Sequence, residues 1–306
     1  MQRIGFIGLG AMGLPMASNL LKKGFPLTVH DVAADKAVSL VKAGAKPASS
    51  PKDAAAGNDV VMTMLPSSPD VEQAVLRPNG ILEGIREGAV YIDLSTIDPF
   101  TTRRVAQVLS GKGVKMLDAP VTKGVQGARD GSLTLLVGGD SEVLESVRDV
   151  LLAVGSTILH MGKSGAGSAA KLANNMVLAA IVTATAEAVV FGAKAGVDPA
   201  RLVAAFEEGS ASSRALGTHI KDVALRRRFD AQGFPVHLLM KDLELGLYTA
   251  REMGMPLFLP SILHEIYAML KAKGKGRGFF PEVITVFEEY AGVEARIDGP
   301  SEAKAP

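Results

Sequence analysis

Along the first half of the chain, short and almost uninterrupted apolar runs alternate with longer stretches whose apolar residues recur every three to four positions. Ile4–Ile7, Leu27–His30, Val60–Leu65, Val90–Leu94, Val114–Leu117 and Leu133–Val137 read as strands, and Pro15–Lys23 and Thr101–Ser110 as amphipathic helices between them. This alternation predicts βαβ units and a mostly parallel, doubly wound sheet of the Rossmann α/β kind. The run V-V-M-T-M-L from Val60 has no polar alternate face, the pattern of a strand covered on both sides.

The pattern changes near Gly162. From about 165 to 194 the chain is Ala-rich and helix-forming, and predicts one long helix. Gly196-Val197-Asp198-Pro199 marks a stop and a capped restart. Pro199–Glu208, Leu238–Met253, Ser261–Lys273 and Phe280–Tyr290 then all carry helical spacing. The expectation is an α/β domain over 1–161 and an all-α domain over 162–292, joined by the long helix. Residues 293–306 are polar and Pro-containing and are expected to be loose.

Composition narrows the function classes. Hydrophobic residues make up 47% and charged residues 21% of the chain, as in a folded globular protein. A net charge of +1 gives no pull toward nucleic acid or a membrane surface, and Arg226–Arg228 reads as a solvated turn. The chain has no Cys, which excludes disulfides, thiolate zinc sites and a Cys nucleophile. His30, His160, His219, His237 and His264 are scattered without metal-ligand spacing, so no metal is expected. Met176–Ala186 is interrupted by Thr and followed by Glu187, which favours a buried helix over a membrane span. The first residues enter a strand with no basic leader, so a cytoplasmic protein is expected.

Two motifs carry chemistry. Gly8, Gly10 and Gly13 form G-x-G-x-x-G between a strand and a helix, with Leu9, Ala11 and Met12 filling the turn. Such a turn lets the backbone approach a pyrophosphate and aims a helix N-terminus at it. Asp31, at the end of the next strand, is spaced to accept hydrogen bonds from an adenosine ribose and to repel a 2′-phosphate. Val32, Ala33 and Ala34 follow, without the Arg or Lys that NADP sites place there, so NAD is expected over NADP. Leu65-Pro66-Ser67 and Ser95-Thr96-Ile97-Asp98-Pro99 follow strands on the ligand side; taken alone each reads equally as a capping turn, but beside the glycine motif both are expected to touch the cofactor. The second motif, G-A-G-S-A-A-K-L-A-N-N from Gly165, sets Lys171, Asn174 and Asn175 on one helix face. A nicotinamide with a helix-borne Lys suggests hydride transfer with an amine handling the proton. An ordinary Lys titrates near 10.4, and partial burial or a second cation such as Lys241 would lower it.

Four ordered stretches resemble the β-hydroxyacid dehydrogenases related to 3-hydroxyisobutyrate dehydrogenase. They are G-F-I-G-L-G-A-M-G-L-P-M from Gly5, D-A-P-V-T-K-G-V-Q-G-A from Asp118, the Gly165 motif, and K-D-L-E-L-G from Lys241. The resemblance implies an NAD-dependent enzyme interconverting a short 3-hydroxy acid and its semialdehyde, assembled as a homodimer or homotetramer through its helices. It implies Lys171 as the catalytic base, Asn175 as an orienting residue, Thr122 and Gly124 on a substrate-carboxylate loop, and Lys241 near cofactor and substrate. The family usually has Ser-Gly-Gly where this chain has Thr122-Lys123-Gly124. Lys123 therefore either meets a second anionic group of the substrate or points to solvent at the rim. A positive φ at Lys123 would carry a penalty of order 1 kcal/mol. Arg214 reads equally as an anion clamp or a surface residue. The alternatives are a tartronate, succinic or sulfonated semialdehyde reductase, or a nucleotide-sensing module without turnover.

Overall fold

The computed structural model describes residues 1–230 and 233–297. The chain divides into two compact units, Met1–Leu172 and a second beginning at Ala173.

The first unit is built on a nine-stranded sheet. Its strands are β1 (Ile4–Ile7), β2 (Leu27–His30), β3 (Lys46–Pro47), β4 (Val60–Thr63), β5 (Val90–Asp93), β6 (Lys115–Asp118), β7 (Val121–Thr122), β8 (Leu133–Gly138) and β9 (Gly155–Gly162). They lie in the order β3-β2-β1-β4-β5-β6-β8-β7, with β9 paired to β8. The pairs from β3 through β6 are parallel, whereas β8 runs antiparallel to β6 and β7.

The unbroken apolar strands have the physical cause inferred for them. Ile4, Phe6, Val60, Met62, Val90 and Ile92 enter one core cluster, while their neighbours Ile7, Val61 and Tyr91 enter another. Each strand therefore buries both of its faces, at roughly 1.5–3 kcal/mol per large apolar side chain. Three strands lie outside the predicted set. β3 and β7 are too short to carry a pattern, and β9 leaves Leu159 and Met161 exposed.

The long helix spans Ala166–Lys194. By length and composition it is apolar enough to cross a membrane. Its residues Val182, Ala186, Val189 and Val190 are instead buried in the core of the second unit with Leu239, Leu243, Tyr267 and Phe280. Asp198 caps the next helix, Pro199–Glu208, by accepting from the Arg201 N–H at 2.9 Å, with Pro199 in the first turn. Helices Val236–Glu252, Phe258–Leu270 and Ile284–Ala291 follow, and a π-helical stretch, Leu216–Ala224, was not predicted.

The end of the chain differs from expectation over 293–297. Ile297 N–H donates to Leu225 O at 2.9 Å, Ala295 N–H donates to the Glu288 carboxylate at 2.8 Å, and Ala295 is buried. Arg227 binds Glu288 and also reaches Glu294 at 3.1 Å, so a charged network ties this polar stretch down. Residues 298–306, also expected to be loose, lie outside the described residues.

Candidate functional site

The nucleotide loop begins where β1 ends. Gly8 has φ of +95°, and a Cβ there would stand 2.3 Å from Met64 O. At Gly13 a Cβ would stand 1.9 Å from Gly8 O, so the loop closes only because neither position has a side chain. At Gly10 a Cβ would meet no protein atom within 4 Å, which leaves that backbone approachable from outside. Leu9 is buried beneath the turn, and Ala11 and Met12 lead into the helix Gly13–Lys22, which no side chain caps among the described residues. Leu14 N–H donates to Gly10 O at 3.1 Å and Pro15 has no N–H, so of the first turn it is Gly13 N–H that is offered to an anion.

Asp31, the expected ribose acceptor, is already engaged by the protein itself. Its carboxylate accepts from Leu9 N–H at 2.7 Å and Ala33 N–H at 2.9 Å, which fixes the glycine loop from the neighbouring strand. Lys36 also reaches it, with Nζ at 3.2 Å. Burial alone would raise the Asp31 pKa, but the donors from Ala33, Leu9 and Lys36 outweigh it and hold the carboxyl below its ordinary value. Lys36 is not apparent from the three residues directly after Asp31. It stands five residues on and returns through a 3₁₀ turn, Ala34–Ala37. The uncapped helix end and the glycine turn, bare of side chains at Gly8, Gly10 and Gly13 and held by the Asp31 carboxylate, together fit a dinucleotide.

The two further loops are bonded to each other. Ser95 Oγ accepts from Leu65 N–H at 2.9 Å, and Ser68 Oγ donates to Asp98 at 2.8 Å. Ser67 and Asp98 cap the helices Ser68–Leu76 and Pro99–Ser110, so both segments are capping turns. Pro66 is exposed, and Leu65 and Thr96 are half-buried. Beneath them Asp93 accepts from Thr63 Oγ1 at 2.9 Å and Ser95 N–H at 3.0 Å. Burial, with Asp118 nearby, pushes the Asp93 carboxyl up to about 6.

Thr122, on the edge strand β7, pairs with Thr134. Lys123 takes the left-handed conformation, φ 84°, and Gly124 follows at φ 64°, opening the helix Gly124–Asp130. The Lys123 amine donates to Ser132 O at 2.8 Å, within its own unit.

The start of the long helix is bound to the end of β6. Asp118 accepts from Gly165 N–H and from Ser168 N–H, each at 2.8 Å. Burial raises its carboxyl against the pull of these donors. Lys171 is half-buried, three residues beyond Ser168. Asn175 follows one turn later, 1% exposed, and belongs to the second unit. There its Nδ2 donates to Asp242 Oδ2 at 2.5 Å, its Oδ1 accepts from Asn174, and Lys241 Nζ lies 3.0 Å from Asp242 Oδ1. Asp242 thus links two residues that the sequence had singled out separately. The sequence reading did not single it out, although it is 2% exposed. Arg214 is exposed, just ahead of the Leu216–Ala224 helix. No group of three or more metal-ligating side chains occurs among the described residues.

Residues 3–162 match the family described as the NAD binding domain of 6-phosphogluconate dehydrogenase, and residues 165–287 that described as NAD-binding of NADP-dependent 3-hydroxyisobutyrate dehydrogenase. The chain is 36% identical to a 2-(hydroxymethyl)glutarate dehydrogenase of Eubacterium barkeri, over 95% of this chain and 96% of that protein. It is 38% identical to an NAD-dependent L-serine dehydrogenase of Pseudomonas aeruginosa, over 95% of this chain and 100% of the other. The structure of a Mycobacterium tuberculosis 3-hydroxyisobutyrate dehydrogenase with L-serine superposes with a TM-score of 0.85 at 33% identity, covering 94% of this chain and 99% of that one. The chain belongs to the β-hydroxyacid dehydrogenase family related to 3-hydroxyisobutyrate dehydrogenase, and is an NAD(P)-binding oxidoreductase acting on 3-hydroxy acids.

Proposed function

We propose that the protein oxidises a short 3-hydroxy acid to its semialdehyde, or runs the reverse reduction, with Lys171 as the general acid and base. The observation that carries this reading is the position of Lys171. It stands on the first turns of the long helix, next to a carboxylate-bound helix end and one turn ahead of the buried amide of Asn175. A bound nicotinamide supplies the hydride acceptor or donor. As the carbinol is oxidised its hydroxyl must lose a proton, and one positioned base suffices. The neutral Lys171 amine takes that proton; in the other direction its ammonium gives it to the aldehyde oxygen. Asn175, held by Asp242, orients the substrate, and Thr122 and Gly124 receive its carboxylate. Gly8, Leu9, Gly10, Ala11, Met12 and Gly13 hold the pyrophosphate, Asp31 the ribose, and Leu65, Pro66, Thr96 and Lys241 flank the cofactor. Asn174 and Arg214 are the further substrate-binding residues in this reading.

NAD is the preferred cofactor in this reading, supported by Asp31. The pairing of Lys36 with Asp31 weakens repulsion of a 2′-phosphate and leaves NADP as the poorer alternative. A second reading, a dicarboxylate substrate, is favoured by Lys123 in place of glycine and by the relative named for 2-(hydroxymethyl)glutarate. Exposed Phe191, Phe258 and Ile262 on the second unit support a homodimer or homotetramer assembled through these helices, in a cytoplasm that supplies the NAD. A kinetic screen of three- to five-carbon 3-hydroxy acids and semialdehydes, with NAD and NADP in parallel, tests the reading. Turnover of at least one with NAD supports it. NADH binding without turnover of any would favour a nucleotide-sensing module.

A further inference from the structure

We propose that Asp118 is a positioning residue for Lys171: it seats the first turn of the long helix on the end of the sheet and so sets where the catalytic amine stands. The proposal rests on the assignment of Lys171 given above.

A helix start leaves N–H groups without partners, and a local Ser, Thr or Asp usually takes them. Here the local candidate is Ser164, yet its buried hydroxyl makes no hydrogen bond among the described residues. The task passes to Asp118, 47 residues from Gly165 and 50 from Ser168 in the chain, whose two oxygens each take one N–H at 2.8 Å. The bond is between a strand end and a helix start, so it fixes one element against the other rather than closing a local turn. A negative charge at a helix N-terminus also interacts favourably with the helix dipole.

Two further features hold the same turn. Gly167 permits the approach, since a Cβ there would lie 2.2 Å from Leu136 O and 2.9 Å from Asp118 Oδ2. On the other side, Thr102 Oγ1 and Ser168 Oγ are 3.0 Å apart and both residues are fully buried. Lys171 follows Ser168 by three residues, about 4.5 Å along the helix axis. A shift of the first turn therefore reaches the amine almost undiminished. A misplacement of about 1 Å at a reacting group costs on the order of 100-fold in rate.

Asp118→Asn keeps the shape of the side chain but replaces one of the two acceptors with a donor facing an N–H. The expected result is a kcat lowered about 10- to 100-fold, with a larger primary deuterium isotope effect on kcat. NADH affinity should stay within about threefold, and amide exchange at Gly165 and Ser168 should quicken. Combined with Lys171→Ala, it should lower the residual kcat by less than about threefold, because both changes act through one amine. A purely structural role would lower the melting temperature but leave kcat per folded enzyme and the isotope effect unchanged, which would overturn the proposal. Multiplicative losses in the double variant would overturn it as well. If Asp118→Asn does not fold, Thr102→Val loosens the same turn and should lower kcat about 3- to 10-fold with the same non-additivity. An unchanged kcat in that variant would refute the tether. If Lys171→Ala alone keeps full activity, the Lys171 assignment fails, an outcome distinct from failure of the tether.

Discussion

Asp31→Ala probes the cofactor end of the site at its most connected residue. The wild-type carboxylate accepts from Leu9 N–H at 2.7 Å and Ala33 N–H at 2.9 Å and pairs with Lys36 at 3.2 Å. Hydrogen bonds to a charged group contribute about 1.5–3 kcal/mol each when no water can replace the partner. The two N–H groups lie on separate loops, after β1 and after β2, and water can take over part of the bonding at the half-buried Ala33. The fold should therefore lose only about 1–2 kcal/mol. Bound NAD has no such substitute, since its ribose loses a charged acceptor and the loop beneath it loses its anchor. A cost of about 1.5–3 kcal/mol weakens NADH by about 10- to 150-fold. NADPH should lose far less, because the repulsion of its 2′-phosphate disappears and Lys36 is released toward it. Fluorescence titrations of NADH and NADPH, with a circular-dichroism melt of each protein, read both effects. A variant with a native-like melt and NADH affinity within twofold of wild type would refute the role given to Asp31. A wild type that binds NADPH more tightly than NADH would refute the cofactor preference.

Two further outcomes follow from other parts of the site. Lys123→Gly removes a residue held at φ 84° and should raise stability by about 0.5–1 kcal/mol in a thermal or urea melt, while changing kcat/KM for a monocarboxylate by less than about twofold. A selective loss for a dicarboxylate, about 10- to 150-fold, would instead establish the dicarboxylate reading. Asp93 is held near 6 against an ordinary 3.8, so the folded chain binds its proton more tightly than the unfolded chain does. That contribution is complete below about pH 4 and is lost as pH rises to about 6, an effect on the order of 1–3 kcal/mol. Asp118, also raised by burial, tilts stability in the same direction, and Tyr91, raised well above its usual range, stays neutral throughout. Melts between pH 4 and 7 should show a flatter slope for Asp93→Asn, and an unchanged slope would remove Asp93 as its source.

What the sequence revealed depended on how far apart the cooperating residues lie. Gly8, Gly10 and Gly13 sit within a single turn, and Asp31 lies one βαβ step away, so spacing alone exposed them. The double-faced strands were visible because Val60–Thr63 and Val90–Asp93 carry apolar residues at nearly every position. Asp118 stood inside a recognised motif, but its bonds to Gly165 and Ser168 join segments whose contact follows only from the sheet order β6-β8 and the helix seated on it. Asp242 stood next to Lys241 but was not singled out, because its buried link to Asn175 spans 67 residues. The polar stretch 293–297 looked loose for the same reason, since its anchors, Arg227 and Leu225, lie on a distant helix end.

The most direct test of the chemistry is Lys171→Ala, with kcat measured on the best substrate of the screen and NADH affinity measured on the same preparation. With Lys171 as the general acid and base, kcat should fall by about 10²- to 10⁴-fold while NADH affinity stays within about threefold. A kcat within a few-fold of wild type, with the cofactor bound normally, would contradict that role and place the proton-handling group elsewhere.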